Sequence, residues 1–233
     1  MRFCITGGAG FIGSHLADRL LGQGHQVVIL DDLSSGKRTN VPQTAKFIEG
    51  SILDEKKVTQ ALEDCDGCFH LAAIASVTRS MEAWTETHLV NQSGTVRVFE
   101  QAAKQNIPVV YASSAATFGA NEHLPLTETS VTEPLSPYGL DKLLCESQAR
   151  IGAQAFGLRS AGMRFFNVYG PRQDPSSPYS GVISIFMQRL KDAQQLVIFG
   201  DGAQTRDFIY VQDVVSYLAS AMSRLHKQSA CAE

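Results

Sequence analysis

The sequence predicts an α/β fold, a doubly wound parallel sheet with helices on both faces, and three observations carry that prediction. Short β-prone apolar runs alternate along the chain with stretches whose apolar residues recur at helical spacing. The first run, Arg2-Phe-Cys-Ile-Thr6, leads directly into Thr6-Gly7-Gly8-Ala9-Gly10-Phe11-Ile12-Gly13, a glycine turn between a strand and a helix. The second run ends in a pair of acids, Asp31 and Asp32.

Bulk properties set the limits. A chain of 233 residues with 44% hydrophobic content suits one large domain, or one domain with a small lobe. A net charge of -3 offers no broad basic surface for nucleic acid. No apolar run is long enough to cross a bilayer, so no membrane partner is expected. Met1 leads straight into the first strand, which leaves no room for a signal peptide and makes a cytoplasmic location the expectation. The five cysteines, Cys4, Cys65, Cys68, Cys145 and Cys231, are scattered and odd in number, against a disulfide framework. Cys65-Asp-Gly-Cys68 with His70 reads as a redox pair, as half a zinc site, or as two small residues flanking a turn. No second ligand cluster follows at zinc-finger spacing, so the turn is preferred and no metal is expected.

The elements follow in order. After the glycine turn, Ile12, Leu16 and Leu20 mark a helix stripe. Gly7 lets the chain turn out of the strand, Gly10 leaves room for a pyrophosphate against bare backbone, and Gly13 lets the helix pack close to the strand. The N–H groups of the first helical turn, with the positive end of the helix dipole, would face the phosphates. Gln26–Leu30 is the second strand, and Asp31 at its end would accept the hydroxyls of an adenosine ribose. A 2′-phosphate there would meet a repulsion on the order of 4 kcal/mol at about 4 Å and an effective dielectric near 20. That corresponds to roughly a thousandfold preference for NAD over NADP. Lys37 and Arg38 lie close in sequence and would blunt it.

Ala45–Glu49 is the third strand, and Asp54 is the N-cap of a helix reaching Leu62. Cys68–Leu71 is the fourth strand, and Ala72–Ser76 leaves it as a small-residue loop where a cofactor passes closely. One long helical region covers Met81–Gln105, with the single tryptophan, Trp84, assigned to packing. Asn91 lies inside that region as either a surface amide or a cofactor contact. Asn91-Gln-Ser93 matches a glycosylation sequon, which carries no meaning in a cytoplasmic chain.

Val109–Ala112 is the fifth strand and ends in Ser113-Ser114. Thr127–Pro137 is a polar loop, Tyr138–Ala155 a helix and Arg159–Phe165 the sixth strand. The turn-rich stretch 172–181 precedes a helix over Val182–Leu190. Leu196–Phe199 and Arg206–Tyr210 read as short strands, and Val211–Leu225 as a closing helix. There is no internal repeat. The domain reading is a nucleotide-binding unit over 1–166, rejoined by 204–226, with a partial substrate lobe over 167–203 and a tail over 227–233.

The chemistry centres on Tyr138-Gly-Leu-Asp-Lys142, which puts a phenol and an ammonium one helical turn apart. A free tyrosine titrates near about 10, so its anion needs roughly 4 kcal/mol of help to act as a base near neutrality. A cation about 6 Å away at an effective dielectric of 20 supplies on the order of 3 kcal/mol. Lys142 together with a positive nicotinamide ring would therefore be enough. Ser114, at the end of a neighbouring strand, would hydrogen-bond the reacting oxygen. Tyr-x-x-x-Lys alone is a common surface pair; its weight comes from the glycine turn, Asp31 and the preceding Ser-Ser.

Taken together, these motifs resemble the extended short-chain dehydrogenase/reductase family, closest to its nucleotide-sugar 4-epimerases. The resemblance runs from Met1 to about Val215. It rests on Thr6 to Gly13, Asp31, His70-Leu-Ala-Ala73, Ser113-Ser-Ala-Ala-Thr-Phe-Gly119, Ser136-Pro-Tyr-Gly139 with Lys142, Arg164-Phe-Phe-Asn167 and Arg206-Asp-Phe-Ile-Tyr210. It implies a Rossmann-type sheet with a small, apparently incomplete C-terminal substrate lobe, and NAD as cofactor. Phe11 and Ile12 would lie under the pyrophosphate. Asp31, Asp32, Leu33, Ser34, Ser35 and Gly36 would surround the ribose. Ser51 and Ile52 would sit at the adenine, and Leu71, Ala72, Ala73 and Ala75 along the cofactor, with Asn91 and Phe165 as further contacts. Asn167 and Arg206 would bind the sugar-nucleotide diphosphate. Two positions depart from the family: Ser51 where an Asp is usual, and Phe118 where many members have Tyr.

Ala115 and Ala116 stand where the related 4,6-dehydratases carry an Asp-Glu pair, and related decarboxylases a Glu nearby. Neither alanine transfers a proton, which leaves a redox cycle with one base: C4 epimerisation of a UDP-hexose or UDP-N-acetylhexosamine by transient oxidation. A net nucleotide-sugar reductase and a non-catalytic NAD-binding protein are the alternatives. Relatives continue beyond the last helix, so sugar binding is expected to be impaired in these 233 residues. Family members dimerise through helices matching Met81–Gln105 and Tyr138–Ala155, which implies a homodimer by analogy.

Overall fold

The computed structural model describes residues 1–175 and 181–230, with side chains to 227. Six strands form one parallel sheet: β1 (Arg2–Thr6), β2 (Gln26–Asp31), β3 (Lys46–Glu49), β4 (Gly67–His70), β5 (Val109–Ser114) and β6 (Ser160–Phe165). Their order across the sheet is β3-β2-β1-β4-β5-β6. The order in which strands are added reverses between β1 and β4, which pair in parallel from Phe3–Gly67 to Thr6–His70, so the loops leaving those two strands part and open a crevice.

Successive residues of a strand face opposite sides of the sheet, and each side is buried. Phe3, Ile5, Val27 and Ile29 pack with Leu16 and Leu20 of α1 (Phe11–Gly22) and Val214, Val215 and Leu218 of α8 (Val211–Ala230). Cys4, Val28, Leu30 and Cys68 face the other way. They meet Val58 and Leu62 of α2 (Glu55–Leu62), Val98 and Ala102 of α5 (Thr95–Lys104), and Cys145 and Ala149 of α6 (Pro137–Phe156). Asp54 caps α2, accepting from the backbone N–H of Lys56 and Lys57, and Ser136 caps α6, accepting from that of Gly139.

Four expectations need correcting. The helical region over 81–105 is not continuous: α3 (Val77–Glu82) and α4 (Trp84–His88) are divided at Ala83, whose φ and ψ of -134° and 62° are not helical. A π segment, Leu89–Gly94, then leads into α5. Trp84 does not pack into the core; it is 62% exposed. Leu196–Phe199 forms no strand, because nothing among the described residues pairs with it, and Phe199 is exposed. The strand that does form, β7 (Asn167–Tyr169), pairs in parallel with β8 (Phe208–Tyr210), the core of the stretch expected over Arg206–Tyr210. Val182–Lys191 is α7, which has no buried residue. The last helix runs past Leu225 to Ala230, through most of the expected tail.

Candidate active site

The crevice at the reversal point opens into a cavity of about 960 Å³. Its floor is the glycine turn. Gly7 has φ 72°, and a Cβ there would lie 2.7 Å from the Ala72 nitrogen, so the turn and the loop after β4 touch backbone to backbone. At Gly13 a Cβ would meet the Gly7 carbonyl oxygen at 2.2 Å, which is why the helix lies this close to the strand. Gly10 is the N-cap of α1 and offers no side-chain cap, and the first turn holds no acid. The leading N–H groups of α1 are thus without an anionic partner from the chain, and Gly10, Phe11, Ile12 and Gly13 line the cavity. This cradle fits the pyrophosphate of a dinucleotide.

At the ribose end, Asp31 accepts from the backbone N–H of Ala9 at 2.9 Å and of Leu33 at 2.9 Å. Burial raises its pKa, while those two amides act in the opposite direction. Asp32 accepts from the N–H of Ser34 at 3.0 Å and from its hydroxyl. Asp31, Asp32, Ser34 and Ser35 all line the cavity, and both acids retain lone pairs for hydroxyls. Leu33 and Gly36 do not line it. Leu33, at φ 58°, turns its N–H onto Asp31, and a Cβ on Gly36 would lie 2.8 Å from an Asp31 oxygen. They shape the acid from behind.

Along the wall, Ile52, Leu71, Ala72, Ala73, Ala75 and Phe165 face the cavity as expected. Ser51 does not; its Oγ accepts from the Leu53 N–H at 3.2 Å and closes a local turn. Asn91 is not a wall residue either. Fully buried in the π segment, it accepts from the Ile74 N–H at 2.8 Å and donates to the Ile74 carbonyl at 3.2 Å, fixing the loop that forms the wall. Behind it runs a chain of hydrogen bonds. The Thr95 hydroxyl donates to the Asn91 carbonyl, so it accepts from His70 Nε2–H at 2.9 Å. His70 Nδ1 then accepts from the Thr6 hydroxyl at 2.7 Å. Complete burial, with the Lys142 charge adding to it, pushes the His70 pKa down to about 3, so the ring is neutral.

The reacting groups meet at the opposite end. Ser114 ends β5, Tyr138 opens α6, and Lys142 follows one turn later; all three line the cavity. Lys142 is 4% exposed and donates to the Ala112 carbonyl at 2.9 Å, with Nζ 6.0 Å from the Tyr138 ring centroid. The Tyr138 N–H donates to Ser80 of α3, which sets the start of α6. Ser114 Oγ accepts from the Ala116 N–H at 3.1 Å, leaving its own hydrogen to donate. One turn beyond Lys142, Glu146 accepts from Ser113 and from Arg164 Nε at 2.9 Å and Nη2 at 2.7 Å, tying β5, β6 and α6 together. Burial alone would raise the Glu146 pKa; the bonds from Arg164 and Ser113 outweigh it and hold the carboxyl below its usual range. The Arg164 guanidinium lies 4.7 Å from the ring centre of Phe118, so that buried ring is a platform.

Asn167 and Arg206 stand apart from the cavity. The Asn167 amide donates to the Asp207 carbonyl at 2.9 Å, and Arg206 is exposed and donates to the Thr205 carbonyl. Conversely, Arg172, Gln173 and Asp174 reach the cavity rim although sequence reasoning gave them no part. Their signal was hidden in a turn-rich stretch with no periodicity. The Cys65–Cys68 pair lies away from the site; both thiols are buried and free, and burial pushes that of Cys65 up to about 12.

Comparison with known proteins adds the following. The model of the NAD dependent epimerase/dehydratase family matches residues 3–230. A putative UDP-glucose 4-epimerase of Methanocaldococcus jannaschii is 40% identical over 215 residues, covering 90% of this chain and 70% of that protein. The crystal structure of the Thermotoga maritima UDP-glucose 4-epimerase with UDP-glucose superimposes with a TM-score of 0.92 at 38% identity, over 95% of this chain and 73% of that one. The Thermus thermophilus UDP-glucose 4-epimerase in complex with NAD gives 0.88 at 35% identity, over 95% and 74%.

Proposed function

The chain belongs to the NAD dependent epimerase/dehydratase family, and on that premise we propose that it inverts C4 of a UDP-hexose or UDP-N-acetylhexosamine. It is an NAD-dependent isomerase. The observation that carries the mechanism is Lys142, buried and 6.0 Å from the ring of Tyr138, inside the cavity that begins at the glycine turn. Bound NAD supplies a reversible hydride acceptor for C4 of the sugar. Tyr138 removes the 4-hydroxyl proton, and the fixed Lys142 charge stabilises the negative charge on the phenol oxygen. Ser114 donates to the same sugar oxygen. Tyr138 returns the proton once the flat 4-keto sugar has presented its other face. Ala115 and Ala116, in the turn after Ser114, hold no proton for elimination or decarboxylation.

Asn167, at the start of β7, and Arg206, just before β8, serve the sugar-nucleotide diphosphate in this reading. Residues 1–166 with 204–226 act as the nucleotide-binding unit and 167–203 as the start of the substrate lobe. We also propose a homodimer through α3 to α6, supported by exposed Met81, Trp84, Leu89, Leu140 and Ile151 on those elements. Sedimentation at micromolar concentration tests it, and a monomer there would refute it. No described helix is long and apolar enough to cross a membrane. The buried free thiols of Cys4, Cys65, Cys68 and Cys145 support a cytoplasmic location.

The deciding experiment is Tyr138→Phe. UDP-glucose and UDP-N-acetylglucosamine are incubated with the protein and their 4-epimers quantified. Loss of the phenol proton acceptor should lower turnover by about a hundredfold or more with NAD affinity unchanged. Full turnover by Tyr138→Phe would sink the mechanism, and net NADH consumption would point to a reductase.

A further inference from the structure

After β7 the chain returns across the cavity rim towards the ribose end. His15 Nε2–H donates to the Pro171 carbonyl at 2.9 Å. Arg172, held at a left-handed φ of 66°, pairs with Asp18 of α1 at 2.7 Å. Asp174 then pairs with Lys37 Nζ at 2.9 Å, and both residues line the cavity beside Asp31 and Asp32. Lys37 is one of two cations that follow Asp31 closely in sequence and would answer a 2′-phosphate. The other, Arg38, has its guanidinium carbon 4.5 Å from the ring centre of Phe47. The chain therefore employs both cations elsewhere, and Lys37 is engaged by a residue distant in sequence.

Resting on the cofactor reading above, we propose that Asp174 is a coenzyme-specificity residue. By pairing Lys37 it withholds a compensating cation from any 2′-phosphate, so NAD is favoured over NADP by Asp174 as well as by Asp31. With the pair intact, Lys37 is held by Asp174, and Asp31 and Asp32 line the same cavity. A 2′-phosphate would add about two further negative charges. Removing the Asp174 charge lowers that repulsion and releases a lysine whose side chain is already 58% exposed and free to turn.

The test is binding, not turnover. Dissociation constants for NAD and NADP are measured by calorimetry for the unaltered protein, Asp174→Asn, Lys37→Gln and the double variant, at low and high salt. Asp174→Asn should tighten NADP by at least about tenfold while NAD changes by less than about threefold. The double variant should lose that gain, and high salt should shrink it. An unchanged NADP-to-NAD ratio in Asp174→Asn, or a gain that persists without Lys37, would overturn the proposal. So would loss of NAD binding in Asp174→Asn, which would make Asp174 a structural support. Failure of the unaltered protein to bind NAD would instead overturn the cofactor reading, and this inference with it.

Discussion

His70 carries a measurable consequence at the scale of single residues. Its pKa is depressed to about 3 by burial, against about 6.5 in an unfolded chain. The unfolded state therefore takes up a proton below about pH 6.5 while the folded state stays neutral. Stability from this group is fully present above that pH and falls by about 1.4 kcal/mol per unit down to about pH 3. Urea titrations at several pH values should show that slope, and His70→Gln should flatten it; an identical slope in the variant would refute the assignment. Other residues were easier to read from the sequence. Tyr138, Lys142, Ser114 and Asp31 announce themselves because their spacing from glycines and strand ends is fixed by local geometry. Asn91 announced only half its role. A buried amide has to satisfy its donors and acceptor, but which backbone it satisfies depends on a loop that passes in space, not in sequence.

The strand–turn–helix unit shows why whole elements were legible. β1, the glycine turn and α1 are specified by short-range rules; β1 spans Arg2–Thr6 as expected, and the Ile12, Leu16 and Leu20 stripe lies within α1. The tightness of the unit predicts the cost of altering it. Gly13→Ala would place a methyl 2.2 Å from the Gly7 carbonyl, and the helix has to shift. That overpacking should destabilise the fold by about 1–3 kcal/mol and weaken NAD binding with it, read by thermal melting with and without NAD. Gly22→Ala is the control: nothing lies within 4 Å of its would-be Cβ, so it should leave NAD affinity alone. Equal affinities in Gly13→Ala and the unaltered protein would sink the argument. β7 escaped notice because three residues, Asn167-Val-Tyr169, carry almost no periodicity. Leu196–Phe199 has the composition of a strand, but a strand is made by its partner, and composition does not supply one. The break at Ala83 was masked by alanine's own helix preference and by Met81 and Glu82 before it.

For the molecule as a whole, the strand alternation anticipated a parallel sheet with two covered faces, and the β3-β2-β1-β4-β5-β6 order is that sheet. The sequence could not foretell how segment 170–175 reaches back to α1 and Lys37, since those contacts join distant parts of the chain through surface ion pairs. Burial differs sharply across the molecule. The central strands are almost wholly buried, whereas α7 has no buried residue. Amide hydrogen exchange should follow that contrast: Ile5, Val28, Ile29 and Phe69 should exchange at rates near the global unfolding limit, and Val182–Lys191 orders of magnitude faster. Comparable protection in both regions would contradict it.

The covering of α1 by α8 also bears on how the protein is made. Leu16, Ala17 and Leu20 leave the ribosome well before Val214, Val215 and Leu218, which enclose them. At about 5–20 residues per second, that apolar stripe stays uncovered for roughly ten seconds or more. The nascent chain thus passes through an interval of adhesiveness, in which a holdase should find its target on the α1 stripe.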